Sequence, residues 1–437
     1  METLIELVDS LARHGDRPAV VAFRSEGRDE WSYGRLADRA GRTAAGLLDR
    51  GFGTGARVAV SAEPSPASIA TVLGIIGAGA SVVPVDLQLS GDALARVLEM
   101  AEIRLAFAPP DRAEALEDAR SSLEAIRLRD GDGGEGDPPD LMADEPATGE
   151  AGPAGEAAVF FTSGTTGTIK GVPLSHANIA HQIDTLVDSR LVSPDDRMLL
   201  PLPIHHVYPF VVAVLLPLAL GMPIVIPASL TGPDLIRALK EGRVSVVIGV
   251  PRLYRALLDG LEAGVSSRGA AARLWFNSSL GLSMAVRRAL GVRVGKTLLA
   301  PVHRDLGAQL DVVASGGAPL KPETAWKLEA MGWRVSVGYG LTETSPILTL
   351  DPPGRARIGS VGRAISGVEL RIGEAEEEGD DSSGEVQARG PNVFDGYLGN
   401  REETASAFTD DGWFRTGDLG RIDGDGYLYL SGRASSL

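Results

Sequence analysis

AAVFFTSGTTGTIKG, residues 157–171, changes character within a few positions. An apolar run reaches Phe161 and enters Thr162, Ser163, Gly164, Thr165, Thr166 and Gly167, with Lys170 and Gly171 just beyond. The run is strand-forming. Four hydroxyls and two glycines then make a loop whose N–H and O–H groups can surround a phosphate, with Lys170 as a nearby cation. Ser175 is placed to N-cap a following helix. A polar turn is the plain alternative, because Ser, Thr and Gly make turns commonly. The spacing is not that of a Walker loop. GVRVGKT at 291–297 comes nearer to one, but it is a residue short and no clear strand precedes it.

Working outward, the same strand texture recurs in RVAVSA (57–62), SVVPV (81–85), RLAFA (104–108), SVVIGV (245–250), LDVVAS (310–315) and RVSVGYG (334–340). Helix-period segments lie between these runs; in 33–50, Leu36, Ala40, Ala44, Leu47 and Leu48 share one face. Such alternation predicts parallel, helix-covered sheets, and seven or more strands over this length predict two of them. After about residue 345 the runs VELRIGE, GEVQARG and GYLYLSG are joined by Gly, Asp and Asn turns, predicting a small antiparallel barrel or sheet. The expected fold class is α/β: two helix-covered, mainly parallel sheets plus that small antiparallel unit.

Composition narrows the function. The 437 residues are 44% hydrophobic and 23% charged, as in a folded soluble protein. With no cysteine, disulfides, thiolate metal sites and a Cys nucleophile are excluded. METLIELVDSLARHG carries Glu2, Glu6 and Asp9 among its apolar residues, so it is not a signal peptide; Leu4, Leu7, Val8 and Leu11 predict a docked surface helix. Residues 198–233 hold no charge but seven prolines, which a spanning helix would hardly tolerate, so they are read as a buried helix and strand. The net charge of −16 is concentrated in 131–156, with eight acids, and 374–381, with six. Neither has a base, and 44 acids face 42 bases elsewhere. The first segment, with seven Gly and four Pro, is read as a solvated loop. Nothing here is a nucleic-acid footprint.

SGTTGTIKG closely resembles the phosphate loop of the adenylate-forming superfamily, within it most nearly the long-chain fatty acyl-CoA synthetases. Four further segments follow in that family's order: PLPIHHVYP (201–209), SGGAPL (315–320), GYGLTE (338–343), and GEVQARGPNVFDGY running on to DGWFRTGDLGRIDGDGYLYLSGR (384–433). The resemblance implies that Thr162, Ser163, Gly164, Thr165, Thr166 and Gly167 hold the ATP phosphates. Gly316, Gly317, Ala318, Tyr339 and Gly340 would form the adenine site, with the Tyr339 ring stacked on the base. Thr342 and Lys170 would contact phosphate, and Glu343 would help hold Mg²⁺, a single carboxylate sufficing beside phosphates and water. Asp418 would accept from the ribose hydroxyls with Arg433 beside it, and His206 would orient the substrate carboxylate. Ile169 and Ala364 stand where many members have Pro, and neither removes a ligand.

The implied activity is ATP-dependent activation of a carboxylic acid, a fatty acid by preference, to an acyl-adenylate and then a CoA thioester. An acyl-AMP ligase, transfer to a carrier protein, or a non-catalytic nucleotide-binding module are the alternatives. The expected division is 1–344 with the ATP and acyl sites, 345–433 as the small β unit, and 434–437 as a hinge stub with Ser435 at the hinge position. A C-terminal domain bearing a catalytic lysine would follow in the family, so a trimmed chain of low turnover is expected here. The location expected is cytoplasmic, with peripheral membrane attachment left open and no transmembrane segment. His176 and His181 lack an HExxH frame and are not read as a metal site; His14 and His303 are expected at the surface.

Overall fold

The computed structural model describes residues 1–128, 143–163, 169–351, 356–375 and 383–434. Two sheets dominate. The larger has nine strands, in the order Arg363–Ala364, Thr349–Leu350, Arg334–Tyr339, Val312–Ser315, Val246–Gly249, Met198–Leu199, Ile224–Ile226, Pro18–Phe23 and Arg28–Ser32. Its middle strands are parallel, and both ends are antiparallel. The second has six, ordered Glu124–Arg127, Leu105–Ala108, Arg57–Val60, Ser81–Pro84, Glu156–Ser163 and Ile169–Ser175, antiparallel only in the last pair. Glu369–Ala375, Gly384–Arg389, Phe414–Ile422 and Leu428–Arg433 form a separate four-stranded antiparallel sheet. The expected fold class is therefore the observed one.

Alternation along the strands explains the layering. Val246, Ile248 and Val312 lie in the core cluster between the two large sheets, together with Val82, Ala158 and Phe160. Val247 and Val313 face the opposite cluster, and Val83 and Val159 face a third. Successive side chains point to opposite faces, so a strand buried on both sides reads as a continuous apolar run. The segment 198–233 supplies a buried helical stretch, Val207 to Leu220 with π-helical geometry over Phe210–Leu215, then the strand Ile224–Ile226. Pro217 lies inside it, and the buried Tyr33 hydroxyl donates to the carbonyl of Met222 at 2.9 Å. Among the described residues no helix is long and apolar enough to cross a membrane.

Several local readings hold. The helix Leu4–Ser10 buries Leu4, Leu7 and Val8, and Leu11 follows them into the core. Ser175 accepts from Asn178 N at 3.1 Å and caps the helix His176–Asp188. His303 is a correction. It is buried, its Nε2 lies 2.8 Å from the carbonyl of Met331, and its ring meets Trp333 edge-on. Leu299, Val302, His303 and Leu306 share one helical face, a spacing that could have revealed this. His14 is half-buried against Tyr33, with ring centroids 4.7 Å apart. The 291–297 stretch follows the helix Ala270–Leu290, and Lys296 pairs with Asp311 at 2.7 Å, so it has neither the strand nor the free lysine of a phosphate loop.

Residues 143–156 face solvent yet are pinned by their backbone. Ala147 N donates to Gly41 O at 3.1 Å, and Gly149 N to Gly77 O at 2.7 Å. The rest of that acidic segment, and most of 374–381, lie outside the described residues.

Candidate active site

The parallel strands of the larger sheet deliver their carboxyl ends to one crevice, the usual ligand position in such sheets. A cavity of about 890 Å³ opens there. Gly316 and Gly317 leave the end of Val312–Ser315, and Gly340 and Leu341 leave the end of Arg334–Tyr339. Gly316 lies on the Tyr208 ring, where an added Cβ would stand 3.0 Å from a ring carbon. Gly317 has φ +73°, a left-handed conformation that favours glycine.

Thr162 and Lys170 face each other across the antiparallel pair that leads into and out of the phosphate-loop segment. Both border the cavity. Gly164, Thr165, Thr166 and Gly167 lie outside the described residues, as does the side chain of Ser163. Lys170 is ion-paired with Glu403 and lies 5.0 Å from the centre of the Tyr397 ring. Glu343 is 9% exposed, and its Oε1 accepts from the Tyr397 hydroxyl at 2.9 Å. Burial first, and the Glu343 charge second, raise the Tyr397 phenol, which stays a donor.

On the other side, Tyr339 donates its hydroxyl to Asp418 Oδ2 at 2.7 Å, and Arg433 Nε meets Asp418 Oδ1 at 3.0 Å. Asp418 is buried behind them, so Tyr339 and Arg433 border the cavity while Asp418 does not. Ala318 is exposed and likewise off the cavity wall. Thr342 and His206 do border it. The rings of His205 and His206 lie 4.3 Å apart, tilted by 55°, and burial pulls both imidazoles below their ordinary value. His205 turns toward Asp86, 3.8 Å away.

The cavity has two characters. Its charged wall residues are Lys170, Glu343, Glu385, Glu403, Arg415 and Arg433. None comes from the strands of the larger sheet or from the helical stretch 207–220. Those elements line an apolar arm with Met198, Val246, Ile248, Val312, Val212 and Leu216. Met198, Val246 and Val312 begin their strands, so the arm follows the sheet face for about 10 Å at the usual rise per residue. Tyr208, Tyr397 and Glu403 were not singled out from sequence, although Tyr397 lies in the GPNVFDGY segment. Each acts on a residue far away in the chain.

A polar end with a cation and a buried carboxylate, joined to an apolar arm, is the shape of a site for a phosphate-bearing ligand and an organic acid together. The AMP-binding enzyme profile matches residues 7–398, and the chain belongs to that family. It is 30% identical to a feruloyl-CoA synthase of an Amycolatopsis species, across 96% of this chain and 77% of that protein. It is 28% identical to the long-chain-fatty-acid–CoA ligase FadD15 of Mycobacterium bovis, across 97% of this chain and 73% of that one. The crystal structure of ATP-bound MatB from Rhodopseudomonas palustris superimposes with a TM-score of 0.79 at 30% identity, covering 98% of this chain and 79% of that one. Adenylate-forming CoA ligases thus share both the sequence and the fold, and the acids in their names differ.

Proposed function

We propose that this chain activates an apolar monocarboxylic acid, a fatty acid by preference, with ATP and passes the acyl group to CoA. The carrying observation is the uncharged arm along the sheet face: among the described residues it offers no Lys or Arg to a second acidic group, and about 10 Å of mainly aliphatic wall in which Ser315 and Ser336 are the strand hydroxyls. In the first step an oxygen of the substrate carboxylate attacks the α-phosphorus of ATP. Acyl-adenylate forms and pyrophosphate leaves. In the second, the CoA thiol attacks the acyl carbonyl and AMP leaves.

The chain's residues have these parts in the proposal. Lys170 and the 162–167 loop hold phosphate, releasing Glu403 from its ion pair. Gly316, Gly317 and Gly340 let the base approach the backbone, with Tyr339 across it. Thr342 steadies the phosphates. His206, neutral because of its burial, hydrogen-bonds and orients the acid carboxylate. Glu343, held by Tyr397, fits Mg²⁺ as one carboxylate beside substrate oxygens and water, and that ion would neutralise phosphate charge. No group of three or more His, Asp or Glu that could hold a metal exists among the described residues, so substrate oxygens would complete the shell. We read 1–344 as carrying both ligand sites, with 345–433 supplying Asp418 and Arg433.

The test is pyrophosphate release and CoA-thioester formation with fatty acids, ferulate and malonate. Fatty acids leading both assays support the reading. Preference for malonate overturns the apolar assignment, and acyl-adenylate without thioester overturns the CoA step.

Two outcomes follow from the geometry. Asp418→Asn is expected to raise the KM for ATP about 30-fold, near 2 kcal/mol: in this proposal the ribose reaches Asp418 past Tyr339 and Arg433, which each hold one of its oxygens, and the substitution removes that charged acceptor. A carboxylate has about four acceptor positions, and Tyr339 and Arg433 take one each, so room remains. An unchanged KM would remove Asp418 from the ribose site. The acid limb of kcat/KM should lie below the ordinary imidazole pKa of about 6.5, since the lowered His206 stays neutral through that range. A limb above it contradicts the neutral-imidazole role.

A further inference from the structure

The chain carries 58 acids against 42 bases, yet residues 263–304 contain seven bases and no acid. The core of that segment is the helix Ala270–Leu290. Phe276, Leu280 and Ser283 bury one side of it. At ~100° per residue, Ala271, Leu274, Trp275, Ser278, Leu282 and Ala285 fall on the opposite side, and all six are exposed. That face has no charge. Arg273 and Arg288 project on one flank, also exposed. Among the described residues seven large hydrophobic side chains are exposed, and five belong here: Leu274 (69%), Trp275, Leu282, Leu290 (72%) and Val292. Isolated exposed leucines need no explanation, but such clustering does.

We propose that this helix is a docking surface for an anionic lipid bilayer, lying in the headgroup region with Leu274, Trp275 and Leu282 inserted. An apolar stripe carrying Trp, flanked by Arg and free of acids, is the pattern of a helix that rests on a membrane. Charge complementarity selects the lipid: bases near a negatively charged leaflet each add to binding, and an acid would oppose it. A second copy of the chain is disfavoured as occupant, because self-docking would set Arg273 and Arg288 against like charges. Other bases of the segment are engaged locally. Arg287 and Arg293 both hold the buried Glu329, Arg268 meets Asp305, and Lys296 meets Asp311; of the two flanking bases, Arg288 lies over Trp326 and keeps its charge, and Arg273 borders the same surface hollow as Asp259 and Glu262. The attraction therefore rests on the local excess of bases rather than on bare cations. Phe276 and Leu280 pack on the sheet face that carries Val247 and Val313, whereas the cavity is bordered by Val246 and Val312. The helix thus sits on the side of the larger sheet away from the ligand site, and this inference stands whether or not the proposed acid is correct.

The experiment is co-sedimentation of the 437-residue chain with vesicles of phosphatidylcholine alone and of equal parts phosphatidylcholine and phosphatidylglycerol. Binding is expected only to the anionic vesicles and should weaken with salt. The triple variant Leu274→Ser, Trp275→Ser, Leu282→Ser should lower partitioning more than about tenfold, and Arg273→Gln with Arg288→Gln about fivefold per charge removed. These side chains face solvent, so circular dichroism should show both variants folded; Arg42→Gln, which removes a charge from a different helix, Tyr33–Asp49, should bind as the parent does. No binding to anionic vesicles, or binding that the triple variant retains, overturns the proposal. Sedimentation-equilibrium dimerisation abolished by the triple variant, without lipid binding, would reassign the face to a second copy. Capture of an acidic carrier protein in place of vesicles would reassign it to a protein partner.

Discussion

Glu343→Gln is expected to slow pyrophosphate release about 10³-fold, near 4 kcal/mol of transition-state stabilisation. The substitution keeps volume and the hydrogen bond from Tyr397, which reaches Oε1 at 2.9 Å, so the fold around it should persist. What it removes is one negative charge beside the proposed phosphate site, in a pocket where that side chain is 9% exposed and water screens little. Among the described residues no group of three or more His, Asp or Glu that could hold a metal stands there, so the proposed ion is not shared among several protein ligands. The Mg²⁺ concentration for half-maximal rate should rise along with the loss of kcat. Tyr397→Phe leaves the carboxylate but frees its orientation, and a loss of about tenfold is expected, as for other groups that position a ligand. The measurement is pyrophosphate release against Mg²⁺ at saturating ATP. A loss smaller than tenfold for Glu343→Gln would place the ion elsewhere and make Glu343 a structural partner of Tyr397.

The contrast between Glu343 and its partner shows what the sequence made readable. Buried parallel strands announce themselves, because both faces are covered: SVVIGV and LDVVAS predicted Val246–Gly249 and Val312–Ser315 within two residues at each end. Edge and short strands do not. Arg28–Ser32 reads RDEWS and buries only Trp31, and Met198–Leu199 is two residues long. Ile169–Ser175 contains Gly171 and Pro173, which argue against a strand until its edge position is known. Of the residues bordering the cavity, several candidates were legible in local motifs, since turn chemistry and side chain sit in one short segment. Their pairings were not. Tyr397 is 54 residues from Glu343, Glu403 is 233 from Lys170, and Asp418 is 79 from Tyr339. Only folding brings those charges and hydroxyls together. Asp418, expected on the ribose, is joined by hydrogen bond to Tyr339 and by ion pair to Arg433, contacts that no local motif announces.

Gly340→Ala is expected to destabilise the fold by about 3 kcal/mol and to abolish measurable adenylation, a larger effect than replacing a neighbouring glycine. The reason is backbone, not ligand. A Cβ at Gly340 would run into the carbonyl oxygen of Pro346 and stand 2.9 Å from Ile347 Cα. That opposing segment cannot retreat easily. Leu348 N donates to Tyr339 O at 2.7 Å, Asn392 Nδ2 to Ile347 O at 2.8 Å, and Ile347 N to Gln182 Oε1 at 3.2 Å. Any shift must instead move 340–343, carrying Thr342 and Glu343 off the phosphates, where displacements near 1 Å already cost about 10²-fold. Gly317 makes the control. Its nearest neighbour to an added Cβ is Val250 at 3.6 Å, so Ala there incurs only the strain of φ +73°, about 1 kcal/mol. Thermal denaturation and pyrophosphate release on both variants test the argument. Gly340→Ala should melt several degrees below Gly317→Ala and show no turnover, while Gly317→Ala keeps its fold and loses mainly ATP affinity. Equal melting temperatures would mean that the 346–348 segment yields, and the role of Gly340 would then be contact with the nucleotide alone.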